Sequence, residues 1–237
     1  LHISTQMNTH NIDGVRAAAE FGAERVTLAR ELSCAELAEV TEEAHSLNME
    51  TECFAHGALC ICYSGQCLMS SMIGGRSANR GTCAQACRLP YTLCDEDSDA
   101  ELSAPGDRLL SPKDLCTIDM LPKLAETGVD SLKIEGRMKE PAYVANVVKR
   151  YRKALDEGAD QVEREALQKT FNRTYTEGYM FGEDPGSITN IQRPNNFGYE
   201  IGTVRGSFKG MYEIALTKTL HQNDIIRIDH ENEDVNL

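Results

Sequence analysis

The sequence predicts an α/β fold: the C-terminal half of a (β/α) TIM-like barrel over residues 1–171, a linker over 172–198, and the start of a small β-barrel-like domain over 199–237. Three observations predict it. Short apolar runs alternate with amphipathic stretches from Leu1 to Leu155, the pattern of βα units wound onto a parallel sheet. A polar stretch punctuated by Gly178, Gly182, Pro185, Gly186 and Pro194 then ends the alternation and gives way to strand patterns alone. The alternation starts at the first residue and yields about four strands where a closed barrel needs eight, so a fragment of a longer protein is expected, without the first half of a barrel. A small open α/β sheet, complete as it stands, is the plainer alternative.

Taken in order, Leu1 to Thr5 reads as a short strand, and Asn11 opens a helix through Val15, Ala18 and Ala19 that stops at Gly22. Arg25 to Ala29 has the length and β-branching of a buried strand. Ser33 followed three residues later by Glu36 forms a capping box ahead of Leu37, Val40 and Ala44, which predicts a second helix. Met49 to Phe54 is the next strand and delivers Glu52 and His56 to its C-terminal end. Pro105 to Pro112 is a loop, Thr117 to Glu126 a helix ended by Gly128, and Val129 to Glu135 a fourth strand. From Glu140 a helix resumes, with Tyr143, Val144, Val147, Val148, Tyr151 and Leu155 at helical spacing as its core face. Tyr199 to Val204, Met211 to Thr217 and Asp224 to Ile228 read as strands of the β unit.

The chain is acidic, with 37 Asp and Glu against 24 Lys and Arg for a net charge of −13, which argues against a broad nucleic-acid surface. One segment departs from this. From Cys53 to Cys94 the only full charges are Arg76, Arg80 and Arg88, and five of the nine cysteines, Cys60, Cys62, Cys67, Cys83 and Cys87, lie within it. Thiols near cations favour the thiolate, the form that binds metals. Disulfides are not expected: the cysteine count is odd, no secretory signal is visible, and a chain of this length buries a core without staples. No apolar run approaches the roughly 18 residues that a membrane span needs. A cytoplasmic protein with no membrane partner is expected. Cys34 and Cys53 read as packing residues.

The spacings Cys60-x6-Cys67-x15-Cys83-x3-Cys87, with Cys116 far downstream, match neither a zinc ribbon, built on C-x2-C pairs, nor a ferredoxin run. Four thiolates gathered from separate loops hold zinc or an iron–sulfur cluster equally well, and ligand softness does not separate the two.

The segments His56-Gly57-Ala58-Leu59-Cys60-x-Cys62-Tyr63-Ser64-Gly65-Gln66-Cys67 and Arg76-x-x-Asn79-x-Gly81-x-Cys83-x-x-x-Cys87-Arg88 resemble the signature of the U-thirty-two peptidase family, the collagenase-like proteases. Leu28-Ala29-Arg30-Glu31-Leu32-Ser33, Ser111-Pro112-Lys113-Asp114-Leu115-Cys116 and Leu132-Lys133-Ile134-Glu135-Gly136-Arg137 extend the resemblance in order, so that it covers residues 1 to 205. Members carry the peptidase label, while relatives hydroxylate RNA bases or act in oxygen-independent ubiquinone hydroxylation and hold a four-iron four-sulfur cluster. The RNA-hydroxylating branch is similar through Arg193-Pro194-Asn195 and Gly198 to Gly202 and is linked to prephenate as an oxygen donor. The resemblance implies Cys60, Cys67, Cys83 and Cys116 as cluster ligands, with Cys87 competing for the third place.

An oxidative mechanism then places the cluster near Arg88, Lys133, Glu135 and Arg137, the cations holding the carboxylates of a small dicarboxylate donor, and Arg76, Arg88 and Lys113 binding substrate, tRNA or rRNA. The plainer reading of Lys133 and Glu135 is a salt-bridged strand end. A hydrolytic mechanism has Glu52 or His56 activate a metal-bound water against a protein substrate. No H-E-x-x-H and no G-x-S-x-G supports it, and a Cys60–His56 pair is only four residues apart. The plainer reading of His56 is a packing residue or one that orients a metal ligand. A non-catalytic docking module for RNA or protein is the third class, and half a barrel also exposes strand edges that favour self-association.

Overall fold

The computed structural model describes residues 1–222, 224–229 and 234–236; residues 223, 230–233 and 237, at the end of the expected β domain, lie outside the described residues. The chain forms two compact units, Leu1–Phe197 and Gly198–Leu237.

The first unit is a mixed α/β structure on a parallel-rich sheet. Strand β1 (His2–Ile3) pairs in parallel with β2 (Arg25–Thr27), β2 with β3 (Glu50–Ala58), and β3 with β5 (Ser131–Glu135). Helix α1 (Ile12–Glu20) is capped by Asn11, whose side chain accepts from the Gly14 N–H, and α2 (Cys34–Ser46) by the expected Ser33–Glu36 capping box. Val26, Leu28, Leu37, Val40, Ala44 and Cys53 form the core between these helices and the sheet, and Cys34 packs against its edge.

Strand β4 (Asp114–Cys116), which no sequence period announces, runs antiparallel to β3 and continues in parallel to β6 (Tyr175–Thr176). Glu52 pairs with Thr27 and Ser131, and His56 with Cys116 and Ile134, so β2 and β4 occupy the same edge of β3 in succession.

Three expectations change in detail. The helix expected from Thr117 is a 3-10 turn over Ile118–Met120 followed by α4 (Leu121–Glu126), because Pro122 has no N–H to give to the carbonyl of residue 118. In α5 (Pro141–Glu157) the buried stripe is Tyr143, Val147, Tyr151 and Ala154; Val144, Val148 and Leu155 are exposed, since a helix on one sheet face buries a single line of residues. Helix α6 (Gln161–Gln168), not anticipated, follows and buries Glu163 against Arg150 and Lys153. Asn172, Arg173, Thr176, Met180 and Ile188, within the stretch expected as a linker, are buried in this unit.

The second unit carries the hairpin of β7 (Gly202–Phe208) and β8 (Met211–Leu216). Lys209 and Gly210 both have positive φ, the two-residue turn that matches strand twist. Strands β9 (Arg227–Asp229) and β10 (Asp234–Asn236) pair antiparallel.

Candidate active site in the cysteine-rich loop

The C-terminal ends of β3 and β5 form the floor of the site. Gly57 has φ +115, and a Cβ there would collide with the Glu135 carbonyl, so a glycine is required for β3 to approach β5 this closely. Below it, the Glu52 carboxylate accepts from Lys133 Nζ at 2.8 Å, Thr27 Oγ1 at 2.8 Å and Ser131 Oγ at 3.3 Å. Burial raises the Glu52 carboxyl, but these donors, Lys133 foremost, outweigh burial and hold it below the usual carboxylate range. Glu135 turns elsewhere and accepts the Arg137 N–H at 2.7 Å.

Above the floor lies the loop that follows β3. Ser64 is fully buried; Glu31 accepts from its backbone N–H and hydroxyl, and its oxygen accepts from Arg30. The segment Leu28 to Ser33 therefore clamps the cysteine motif. Asn79 donates to the Gly65 carbonyl, Ser70 Oγ accepts from the Ala84 N–H and lies 3.8 Å from Cys83 Sγ, and Arg137 donates to the Gly81 carbonyl. Helix α3 (Met69–Gly74) projects Met72 and Ile73 into solvent, with Leu68 and Tyr63 also exposed.

All nine cysteines are free thiols. Cys87 interacts electrostatically with Cys60, Cys83 and Cys67, and Cys62 with Cys67 and Cys60, so the five loop thiols share one neighbourhood. Arg88 does not make Cys87 a thiolate as the sequence suggested: burial dominates and pushes its thiol up to about 11. The Cys116 thiol, raised to about 11 by burial, lies 3.8 Å from Tyr151 Oη and lines a cavity of about 480 Å³ with Ile118, Leu167, Tyr175 and Phe181. Among the described residues no three His, Cys, Asp or Glu side chains are close enough together to hold a metal ion.

The remaining expected residues divide by environment. His56 is buried, 1% exposed, among Tyr143, Tyr151 and Tyr175, and burial lowers it to about 3, so it is neutral. Its Nδ1 lies 3.3 Å from Tyr151 Oη, and its Nε2 has no hydrogen-bond partner among the described residues. Arg76 and Arg80 are exposed beside α3. Arg88 is buried and donates to Ser111 Oγ and the carbonyls of Pro112 and Leu59. The backbone of Lys113 bonds to Ile188, and its ammonium acts on Glu183.

Comparison with known proteins decides the family. The model of peptidase family U32 matches residues 1–190. The chain belongs to peptidase family U32. This U32 chain is 43% identical over 173 residues to tRNA hydroxylation protein P1 of Bacillus subtilis (71% of this chain, 40% of the relative). It is 39% identical over 207 residues to a collagenase of Porphyromonas gingivalis (80% and 49%). It is 35% identical over 242 residues to the 23S rRNA 5-hydroxycytidine C2501 synthase of Escherichia coli (96% and 36%). The chain thus spans half or less of the length of these curated relatives. No solved structure gives a significant match.

The donor chemistry of the U32 loop suits a thiophilic centre, because free thiols gather in a segment without a carboxylate. The U32 chain also holds a polar cluster that sequence reading missed. Asp114, 1% exposed, accepts from Arg173 Nη1 at 3.0 Å; Lys139 and Arg173 both stand over the Phe171 ring, and Lys139 also over Tyr143. Asp114 lies inside a motif already singled out, but nothing in the spacing ties it to a residue 59 positions away. Among the described residues no helix is long and apolar enough to cross a membrane.

Proposed function

We propose that this chain is part of a cytoplasmic enzyme that hydroxylates a base of tRNA or rRNA with the help of a four-iron four-sulfur cluster and a small dicarboxylate oxygen donor of the prephenate kind. Its first unit is read as half of a (β/α) barrel, since β1, β2, β3 and β5 wind in parallel in chain order. The observation that carries the reading is the juxtaposition of five free thiols with exposed arginines in a segment devoid of Asp, Glu and Lys, in a chain of net charge −13. The names of the tRNA- and rRNA-modifying relatives support the same substrate class. Cys60, Cys67, Cys83 and Cys116 would hold the cluster, with Cys87 competing with Cys83 for the third place. The cluster supplies electron-transfer chemistry, which belongs to the cofactor. Arg76 and Arg80, with no ion-pair partner among the described residues, bind phosphates, and exposed Tyr63 offers a ring on which an unpaired base stacks. Proteolysis is the weaker reading: Glu52 is already ion-paired and His56 is enclosed by tyrosines.

Iron and acid-labile sulfide, measured on protein purified without oxygen, test this together with single Cys→Ala changes at positions 60, 67, 83, 87 and 116. The expected result is a broad absorbance band near ~400 nm, lost in four of the five variants, and a missing hydroxylated base in RNA from a deletion strain. Cleavage of casein or gelatin by metal-free protein, with RNA unchanged, overturns it.

A further inference from the structure

We propose that Cys62 and Cys67 close a reversible disulfide across the turn between them when a peroxide reaches the loop, and that this removes Cys67 from the thiols that would hold the cluster. The bond itself concerns these thiols alone; its effect on Cys67 as a ligand rests on the cluster reading. The Gln66 N–H donates to the Tyr63 carbonyl at 3.0 Å, so a tight turn separates the two cysteines and they flank it. Their thiols hydrogen-bond to each other across it. Both are half-buried, within reach of a small oxidant.

The turn is held from three sides. Glu31 accepts from the Ser64 N–H at 3.0 Å and from Ser64 Oγ at 3.2 Å, and Asn79 donates to the Gly65 carbonyl at 2.7 Å. Gly65 has φ +75, and a Cβ there would collide with the Gln6 carbonyl. Two thiols already held in contact lose little further freedom when they are joined, which favours this bond over others in the loop. Cys83 is engaged elsewhere, accepting from the Gln85 N–H at 3.3 Å and from Ser70 Oγ at 3.8 Å.

One sulfur, as thiolate, attacks the peroxide; the O–O bond breaks, a sulfenic acid forms, and the departing hydroxide takes up the thiol proton as water. The second thiol attacks the sulfenic sulfur, the S–S bond forms, and the hydroxyl leaves with the second proton as water. Two thiols thus give up two electrons and one peroxide becomes two waters. In a reducing compartment such a bond is transient and is reopened by a dithiol. Without a partner the sulfenic acid goes on to sulfinic acid, which is not recovered by thiols. Cys62, outside the ligand set that the motif implies, thereby protects Cys67.

Metal-free protein treated with hydrogen peroxide and mapped by mass spectrometry, with free thiols blocked, tests the pair. The expected product is a Cys62–Cys67 bond, reversed by dithiothreitol; cleavage after exposed Tyr63 leaves two peptides joined by it. In Cys62→Ser, Cys67 is expected to accumulate as sulfinic acid. Asn79→Ala, at an exposed position, keeps both thiols but frees one side of the turn and is expected to slow closure about threefold or more. It reads the same pairing should Cys62→Ser fail to fold. A dominant bond from Cys67 to Cys60, Cys83 or Cys87, no internal disulfide, equal oxidation of Cys67 with and without Cys62, or an unchanged rate in Asn79→Ala overturns the proposal. Iron and sulfide uptake separates the two readings. Reduced wild type and Cys62→Ser should load alike, and the disulfide form about a tenth as much or less. Equal loading of the disulfide form, or loss of loading in Cys62→Ser, overturns the effect on the ligand set. No loading of any form, with the disulfide closing as expected, overturns the cluster reading and supports the disulfide.

Discussion

Lys133 Nζ lies 2.8 Å from Glu52 Oε1 across the β3–β5 ladder, with the carboxylate mostly buried and the ammonium about one-third exposed. The pair therefore sits between a surface ion pair and a buried one, and Glu52 depends on its donors to stay ionised. Replacing Lys133 by Met is expected to destabilise the fold by about 1–2 kcal/mol in urea unfolding. Because the Glu52 carboxyl is held below its unfolded value, its contribution is present above the ordinary glutamate pKa of about 4.3 and is lost as pH falls through the lower folded value. Lys133→Met flattens that acid limb. An unchanged limb would show that the pair does not govern it.

His56 makes the second pH prediction. Its folded pKa, about 3, lies below the unfolded value of about 6.5, so the unfolded chain binds the extra proton first and stability falls as pH drops from the upper value toward the lower. The slope approaches about 1.4 kcal/mol per pH unit within that window. Nitrogen-15 NMR of the imidazole should show a neutral ring from pH ~8 down to ~5. A midpoint near neutrality would place His56 outside its tyrosine enclosure.

Gly57→Ala combines a left-handed φ with a collision against the Glu135 carbonyl. A cost of about 3 kcal/mol or more is expected, seen as loss of soluble protein or a large drop in unfolding midpoint. Gly22→Ala, also at positive φ but in open space, should cost about 1 kcal/mol and serves as the control. Equal effects of the two would remove the close approach as the cause.

Thiol reactivity follows burial. In metal-free protein at mildly alkaline pH, alkylation read by mass spectrometry should reach exposed Cys83 and Cys94 first and Cys53, Cys87 and Cys116 last, since burial raises the thiols of these three to about 12, 11 and 11. Early labelling of Cys87 would mean that Arg88, not burial, sets its state.

Much of the frame was legible in local signals. Asn11 and the Ser33–Glu36 pair act on N–H groups within one turn, and the apolar runs of β2, β3 and β5 carry their own burial pattern, so helices α1 and α2 and the parallel strands could be read without tertiary context. The carboxylate-free cysteine segment was equally visible, because composition is local.

What only the tertiary structure decided were pairings across large sequence separations. The antiparallel insertion of β4 beside β3 puts Cys116 on the wall of a cavity. The same folding encloses His56 in three tyrosines contributed by α5 and β6. It also brings Arg173 to Asp114, whose carboxylate acts on Lys139 and Arg88 as well. Residue type and spacing determine which groups are available, whereas charge balance, burial and a thiol's protonation depend on which distant groups the sheet edges and helix faces bring within a few ångströms, and no periodicity in the chain encodes that.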